Sequence, residues 1–204
     1  MPRSSRRCAA SSPSYRGAMT ASLIYFNTAS LDGYIADPKG EFGWAEPDHE
    51  VHAFVNDLVR PSRTHLYGRK VYEVMTFWED PDLDEMPEVE REFALEWQAV
   101  DKIVYSRTLT EVSTKRTELR REFDPAEVRR MKDASDHPLM IGGGELASTA
   151  ARAGELDEVH LIVATAVVGG GTRFLDEGLQ LDLALLDQRR FANGFVYVAY
   201  RVVG

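Results

Sequence analysis

Apolar residues in this chain fall into short runs, separated by turns rich in glycine, proline and aspartate. Ser22 to Thr28 (SLIYFNT) is β-branched and aromatic enough to read as a first strand. Asp32-Gly33 and Asp37-Pro38-Lys39-Gly40 then mark two turns. Val51, Phe54, Val55, Leu58 and Val59 recur at helical spacing, and Asp48 stands where an N-cap belongs, so the pattern predicts a helix over 48–59. Thr64 to Tyr67 reads as a strand, followed by the turn Gly68-Arg69-Lys70 and a helix over 71–75. Residues 79–90 are acidic and proline-bearing and read as a loop, with helix expected over 88–98 and strand over 102–105. Asp124 and Pro125 cap and open a further helix, expected to reach about Asp133.

The most informative stretch follows. Leu139 to Ile141 reads as a buried strand, Gly142-Gly143-Gly144 as a turn, and Glu145 to Ala153 as a helix that Gly154 ends. Glycines at a strand-to-helix turn leave room for a ligand, and the first N–H groups of the helix then favour an anion such as a phosphate. Leu156 to Thr165 reads as a strand buried on both faces, and Gly169-Gly170-Gly171 as a second glycine loop. Leu181 to Asp187 and Gly194 to Val203 alternate as two strands joined by a hairpin turn at Ala192-Asn193-Gly194. Strands alternating with helices predict an α/β fold with a mainly parallel sheet, closed by an antiparallel hairpin.

Composition narrows the reading. The chain has 204 residues and a formal net charge of -9, which disfavours nucleic acid as its partner. No apolar run approaches a membrane span, and Cys8 is the single cysteine, so no disulfide framework is expected and a cytoplasmic location fits. Residues 1–18 are rich in arginine and serine and hold no acid, so they read as a disordered extension, with one domain over 19–204. His49-Glu50-Val51-His52 spaces its histidines three apart, where a zinc-protease helix needs four, so no metal site is expected.

Three strand ends carry polar or glycine turns: Gly68-Arg69-Lys70, Ser106-Arg107 and Gly142-Gly143-Gly144. In an open α/β sheet such ends share one edge and can converge on one ligand. Arg69, Lys70 and Arg107 offer charge-assisted bonds to phosphates, and Ser106 a hydroxyl.

SLDGYIA (30–36), YGRKVYE (67–73), VYSRTL (104–109) and IGGGELA (141–147), in this order, resemble the dihydrofolate reductase superfamily, in its RibD C-terminal domain branch. The resemblance spans Leu23 to Val203. It implies a three-layer fold with a mainly parallel mixed sheet of about eight strands, helices on both faces and NADPH along the carboxyl edge. By position it assigns Thr28 and Ile35 to the nicotinamide carboxamide, and Gly68, Arg69 and Lys70 to phosphates. Ser106 and Arg107 would take the 2′-phosphate; Gly142, Gly143, Gly144, Glu145 and Leu146 the pyrophosphate and nicotinamide ribose. Residues Leu31 to Tyr34 would form a loop over the site, with Asp32, Trp44 and Arg173 on the substrate side. Asp48 is the implied catalytic acid, with Glu50 second, although a plain helix N-cap is the simpler account of Asp48. The implied activity is reduction of 5-amino-6-(5-phosphoribosylamino)uracil in riboflavin biosynthesis by a homodimer. The alternatives are a dihydrofolate reductase-type activity and a non-catalytic binding module of the same fold.

Overall fold

The computed structural model describes residues 20–203. The expected extension over 1–18, with Cys8, lies outside the described residues. In chain order the elements are β1 (Leu23–Ala29), β2 (Tyr34–Ala36), α1 (His49–Val59), β3 (Thr64–Gly68), α2 (Arg69–Met75), α3 (Glu88–Ala99), β4 (Asp101–Tyr105), β5 (Thr117–Arg120), α4 (Pro125–Ala134), β6 (Leu139–Gly142), α5 (Gly144–Arg152), β7 (Glu158–Val163), β8 (Thr172–Arg173), β9 (Asp182–Arg190) and β10 (Val196–Val203).

Eight strands form one sheet in the order β5-β4-β3-β6-β1-β7-β10-β9, while β2 and β8 pair separately. From β5 to β7 every neighbour is parallel. Crossovers return the chain to the same edge each time, as parallel pairing requires; they carry helices except between β4 and β5, which a loop joins. β10 runs antiparallel to β7 and to β9. The expected α/β sheet with its terminal hairpin is therefore the observed fold.

Helices cover the sheet on both faces. On one, Val128 of α4 and Ala147 and Ala150 of α5 pack on Leu23, Tyr25, Leu66 and Ile141. On the other, Val51 of α1 packs with Ile162, Tyr197 and Phe191, and Tyr72 of α2 with Tyr67 and Val104. Polar groups inside this core are paired. Lys132 of α4 is buried, sits 2.5 Å from Asp157 and donates to the Glu155 carbonyl. Lys102 is buried as well, and its ammonium donates to the carbonyls of Trp97 and Val100 where α3 ends. That contact satisfies carbonyls left open at a helix terminus.

Four features differ from the sequence expectation. Arg69 and Lys70 are the first two residues of α2 rather than turn residues. The helix can begin so early because Gly68 caps it in extended conformation. β5 and β8 were not foreseen; Thr117–Arg120 is short and polar, and β8 has two residues. β9 continues to Arg190 beyond the expected Asp187. β7 is buried on one face only, since Leu161 and Val163 are half-buried.

Leu66 has no exposed surface and lies in β3, between β4 and β6. Leu66→Ala is expected to cost about 2–5 kcal/mol, read as a lower urea midpoint at unchanged slope.

Candidate active site at the carboxyl edge of the sheet

β4, β3 and β6 are consecutive and parallel, so their carboxyl ends fall within about 10 Å of one another. The three turns singled out in the sequence are thereby brought together. Arg69 and Lys70 project from the start of α2, exposed, with Arg69 2.9 Å from Glu73. Ser106 is buried at the end of β4, and its Oγ accepts from the N–H groups of Thr108 (3.2 Å) and Leu109 (2.9 Å). Arg107 beside it is exposed. Lys70 and Arg107 have no ion-pair partner among the described residues. Arg121 went unrecognised in the sequence. Its guanidinium donates to the carbonyls of Ser106 and Leu109, and so fixes the loop after β4 from the end of β5. An arginine beyond an unforeseen strand gives no sequence signal for that role.

At the end of β6, Gly143 has φ +103 and serves as the N-cap of α5. The first intrahelical bond runs from Ala147 N–H to the Gly143 carbonyl, 2.9 Å. The N–H groups of Gly144, Glu145 and Leu146 therefore have no carbonyl one turn back within the helix. A Cβ on Gly142 would stand 2.9 Å from the Tyr67 ring, and one on Gly144 2.5 Å from the carbonyl oxygens of both Arg173 and Phe174. Packing alone thus demands two of the three glycines.

The loop after β1 and the second glycine loop form the other half of the edge. Thr28 is half-buried near the end of β1, and its N–H bonds Asn27 Oδ1. Ile35 of β2 packs against the main core. The Asp32 carboxylate accepts from the N–H groups of Val168 (3.1 Å) and Gly169 (2.7 Å). Leu31 N–H bonds the Ala166 carbonyl, and Phe174 N–H the Gly33 carbonyl. Tyr25 stacks on Phe174 at 4.6 Å and donates its hydroxyl to the Phe174 carbonyl at 2.7 Å. Arg173 lies exposed over the Tyr34 ring, at 5.4 Å, and 3.8 Å from Glu177.

The start of α1 meets the same edge where β7 ends and β10 begins. Asp48 Oδ1 accepts from Val51 N–H at 2.9 Å, which is the expected N-cap. Glu50 accepts from Ala192 N–H at 3.0 Å and from Arg189 at 2.8 Å, and the two hold its carboxyl below the usual range. Trp44 sits in a 3-10 turn just before α1 and packs on the Val51 cluster. His52 bonds Asn56 and faces the rings of Trp78 and Phe93, so Trp78 belongs to the packing between α1 and α3. No group of three or more potential metal ligands occurs among the described residues. A hollow of about 220 Å³, lined by Val59, Phe93, Trp97 and Val100 among others, lies at the amino ends of β3 and β4, away from these groups.

Asp32 joins the two loops, and its carboxyl is held below the usual range by the Ser30 hydroxyl and then by the Gly169 and Val168 N–H groups. Its charged form makes the contact, so the contact is complete above the ordinary aspartate value and is lost as pH falls through the lowered one. Asp32→Asn is expected to lower the hydrogen-exchange protection factors of Val168 and Gly169 at neutral pH; unchanged protection would contradict the latch.

Comparison with known proteins agrees with the fold. No curated protein sequence matches the chain. Among solved structures, a protein named for riboflavin biosynthesis from Shewanella sp. PV-4 superposes with a TM-score of 0.70 at 20% identity, over 90% of this chain and 99% of that one. The deaminase/5-amino-6-(5-phosphoribosylamino)uracil reductase of Thermotoga maritima gives 0.62 at 16% identity, over 90% of this chain and 57% of its own length. Dihydrofolate reductase from Enterococcus faecalis, complexed with NADP(H), gives 0.58 at 14% identity, over 90% and 98%. The sequence model described as RibD C-terminal domain matches residues 21–197, and the chain belongs to that family.

Proposed function

We propose that this protein is an NADPH-dependent reductase of a pterin- or pyrimidine-like compound, with 5-amino-6-(5-phosphoribosylamino)uracil as the reference substrate. One observation carries the reading. In a chain of net charge -9, the exposed cations Lys70 and Arg107 have no carboxylate partner among the described residues and stand at adjacent strand ends, on the same edge as the N-terminus of α5. Such a row suits a ligand with several phosphates. The family and the Thermotoga maritima reductase support the same class of reaction.

In this reading the bound cofactor supplies the hydride. The first-turn N–H groups of α5, from Gly144 to Leu146, receive the pyrophosphate, while Gly68, Arg69 and Lys70 flank it. Arg107 and the Ser106 hydroxyl take the 2′-phosphate, on a loop that Arg121 keeps in place. Thr28 and Ile35 border the nicotinamide. The substrate lies toward α1, where Trp44 and Asp48 stand, with Arg173 as the cation for a substrate phosphate and Asp32 holding the loop above. A cytoplasmic location is part of the proposal; no helix among the described residues is long and apolar enough to cross a membrane.

A second reading, a binding module without chemistry, draws on Asp48: one of its oxygens is committed to the helix cap. Two measurements separate the readings. Fluorescence titration is expected to show NADPH binding well above NADH. Arg107→Ala is expected to weaken NADPH about tenfold or more and to spare NADH, as loss of a charge-assisted bond predicts. Binding of neither cofactor would sink the reductase. Asn caps helices about as well as Asp. Asp48→Asn is therefore expected to preserve fold and NADPH affinity while lowering turnover about a hundredfold if Asp48 delivers the proton. Unchanged turnover would return it to a cap.

A further inference from the structure

Not every buried polar atom is paired. Two exceptions belong to residues that line the hollow at the amino ends of β3 and β4, at the opposite end of β3 from Gly68, Arg69 and Lys70. His65 is 5% exposed; its Nδ1 stands 2.7 Å from the Tyr67 hydroxyl, while its Nε2 has no partner. Glu96 gives one carboxylate oxygen, Oε1, to Arg60, and its Oε2 is buried without a hydrogen bond. Buried donors and acceptors are paired as a rule, so these two call for partners.

The neighbours decide which atom donates. Trp97 Nε1–H can only donate, and it does so to the Tyr67 hydroxyl at 3.2 Å. Among the described residues, the Tyr67 proton then has one acceptor in reach, His65 Nδ1. The imidazole is neutral, since burial and then the charge of Lys102 push its pKa down to about 3. Its own proton therefore sits on Nε2, which is a donor. Glu96 Oε2 is an acceptor.

We propose that this hollow binds a small one-ring molecule carrying a hydroxyl, of the phenol class. A hydroxyl accepts from His65 Nε2 and donates to Glu96 Oε2, the two roles left open. Ser62, a buried hydroxyl on the same wall, is already bonded to the Thr64 carbonyl at 3.1 Å. Size agrees: the hollow measures about 220 Å³, and benzene enters an apolar cavity of about 150 Å³. Val59, Phe93, Trp97 and Val100 give it an apolar wall for the ring. A water takes about 30 Å³, so it can meet the polar atoms but leaves most of that wall without contact. Tyr67 ties this end of β3 to the other, because a Cβ on Gly142 would stand 2.9 Å from its ring.

Titration of the ¹⁵N-labelled full chain with phenol, followed by NMR, tests the proposal. Toluene, which replaces the hydroxyl with a methyl group, is the control. Before any ligand is added, the His65 ring is expected to be protonated at Nε2; protonation at Nδ1 would overturn the assignment of the donor. Phenol is expected to bind saturably and to shift His65 Nε2 and the Trp97 indole N–H. Toluene is expected to bind about fivefold or more weakly, as loss of buried hydrogen bonds predicts. His65→Leu is expected to bring phenol down to the level of toluene. Ala99→Phe, at an exposed position on the lining, is expected to fill the hollow and abolish binding of both, with an unchanged circular dichroism spectrum. Absence of saturable phenol binding overturns the proposal, as does equal binding of phenol and toluene. Phenol binding that survives Ala99→Phe overturns it too, since the ligand then lies elsewhere.

Discussion

The carboxyl edge of this protein depends on one steric fact: Gly144 has no side chain. The carbonyl oxygens of Arg173 and Phe174 approach the place its Cβ would occupy to 2.5 Å, so the second loop lies directly across the start of α5. Tyr25 holds that crossing from below, through its stack and hydroxyl bond to Phe174. A second close approach repeats the device. A Cβ on Gly171 would stand 2.1 Å from the Ala36 carbonyl, at φ +117, so β8 can lie against β2 only with glycine there. The two glycine segments are thus halves of one interlock. Their first task is to let backbone pass over backbone; the open N–H groups at the head of α5 follow from that geometry.

This also explains which parts were legible in the sequence. Asp48, Asp124 and Gly154 are local signals, and each stands where its side chain or its φ predicts. The runs from Leu23 and Leu139 are apolar because those strands are buried, and burial needs no knowledge of the partner. The glycine triplet was visible, but its cause was not, because Arg173 and Phe174 are about thirty residues away and their carbonyls carry no sequence signature. The same holds for Arg121, whose partners are backbone oxygens. Asp32 was read as a substrate-side group from its place in a motif, and the structure sets its carboxylate on two backbone N–H groups of the second loop. β9 shows the converse. Its alternation was plain, yet its complete exposure depends on where the helices stop.

Charge is distributed with a logic that composition hides. Most arginines on the described surface face carboxylates, as Arg60, Arg116, Arg120 and Arg129 do. Exposed pairs of this kind add little stability each, so their effect is to spend the positive charge locally. Lys70 and Arg107, at the ends of β3 and β4, are among the cations that lack such a partner among the described residues. Two such cations near the N-terminus of α5 add positive charge at an edge of an otherwise acidic protein, which favours an anionic ligand there.

The proton remains the demanding part of the proposed chemistry. Glu50 is poorly suited to deliver it: bonds from Ala192 and Arg189 favour its charged form, so it gives up its proton well below neutral pH. Asp48, two residues earlier, is exposed at the helix start. Its second oxygen is free of the cap, however, and open to water. Under the proposed reading Asp48 therefore passes a proton from solvent to substrate rather than storing one. That division of labour is coherent for a reduction in which hydride arrival creates the basic site, and it lets a helix cap and a proton relay be the same residue.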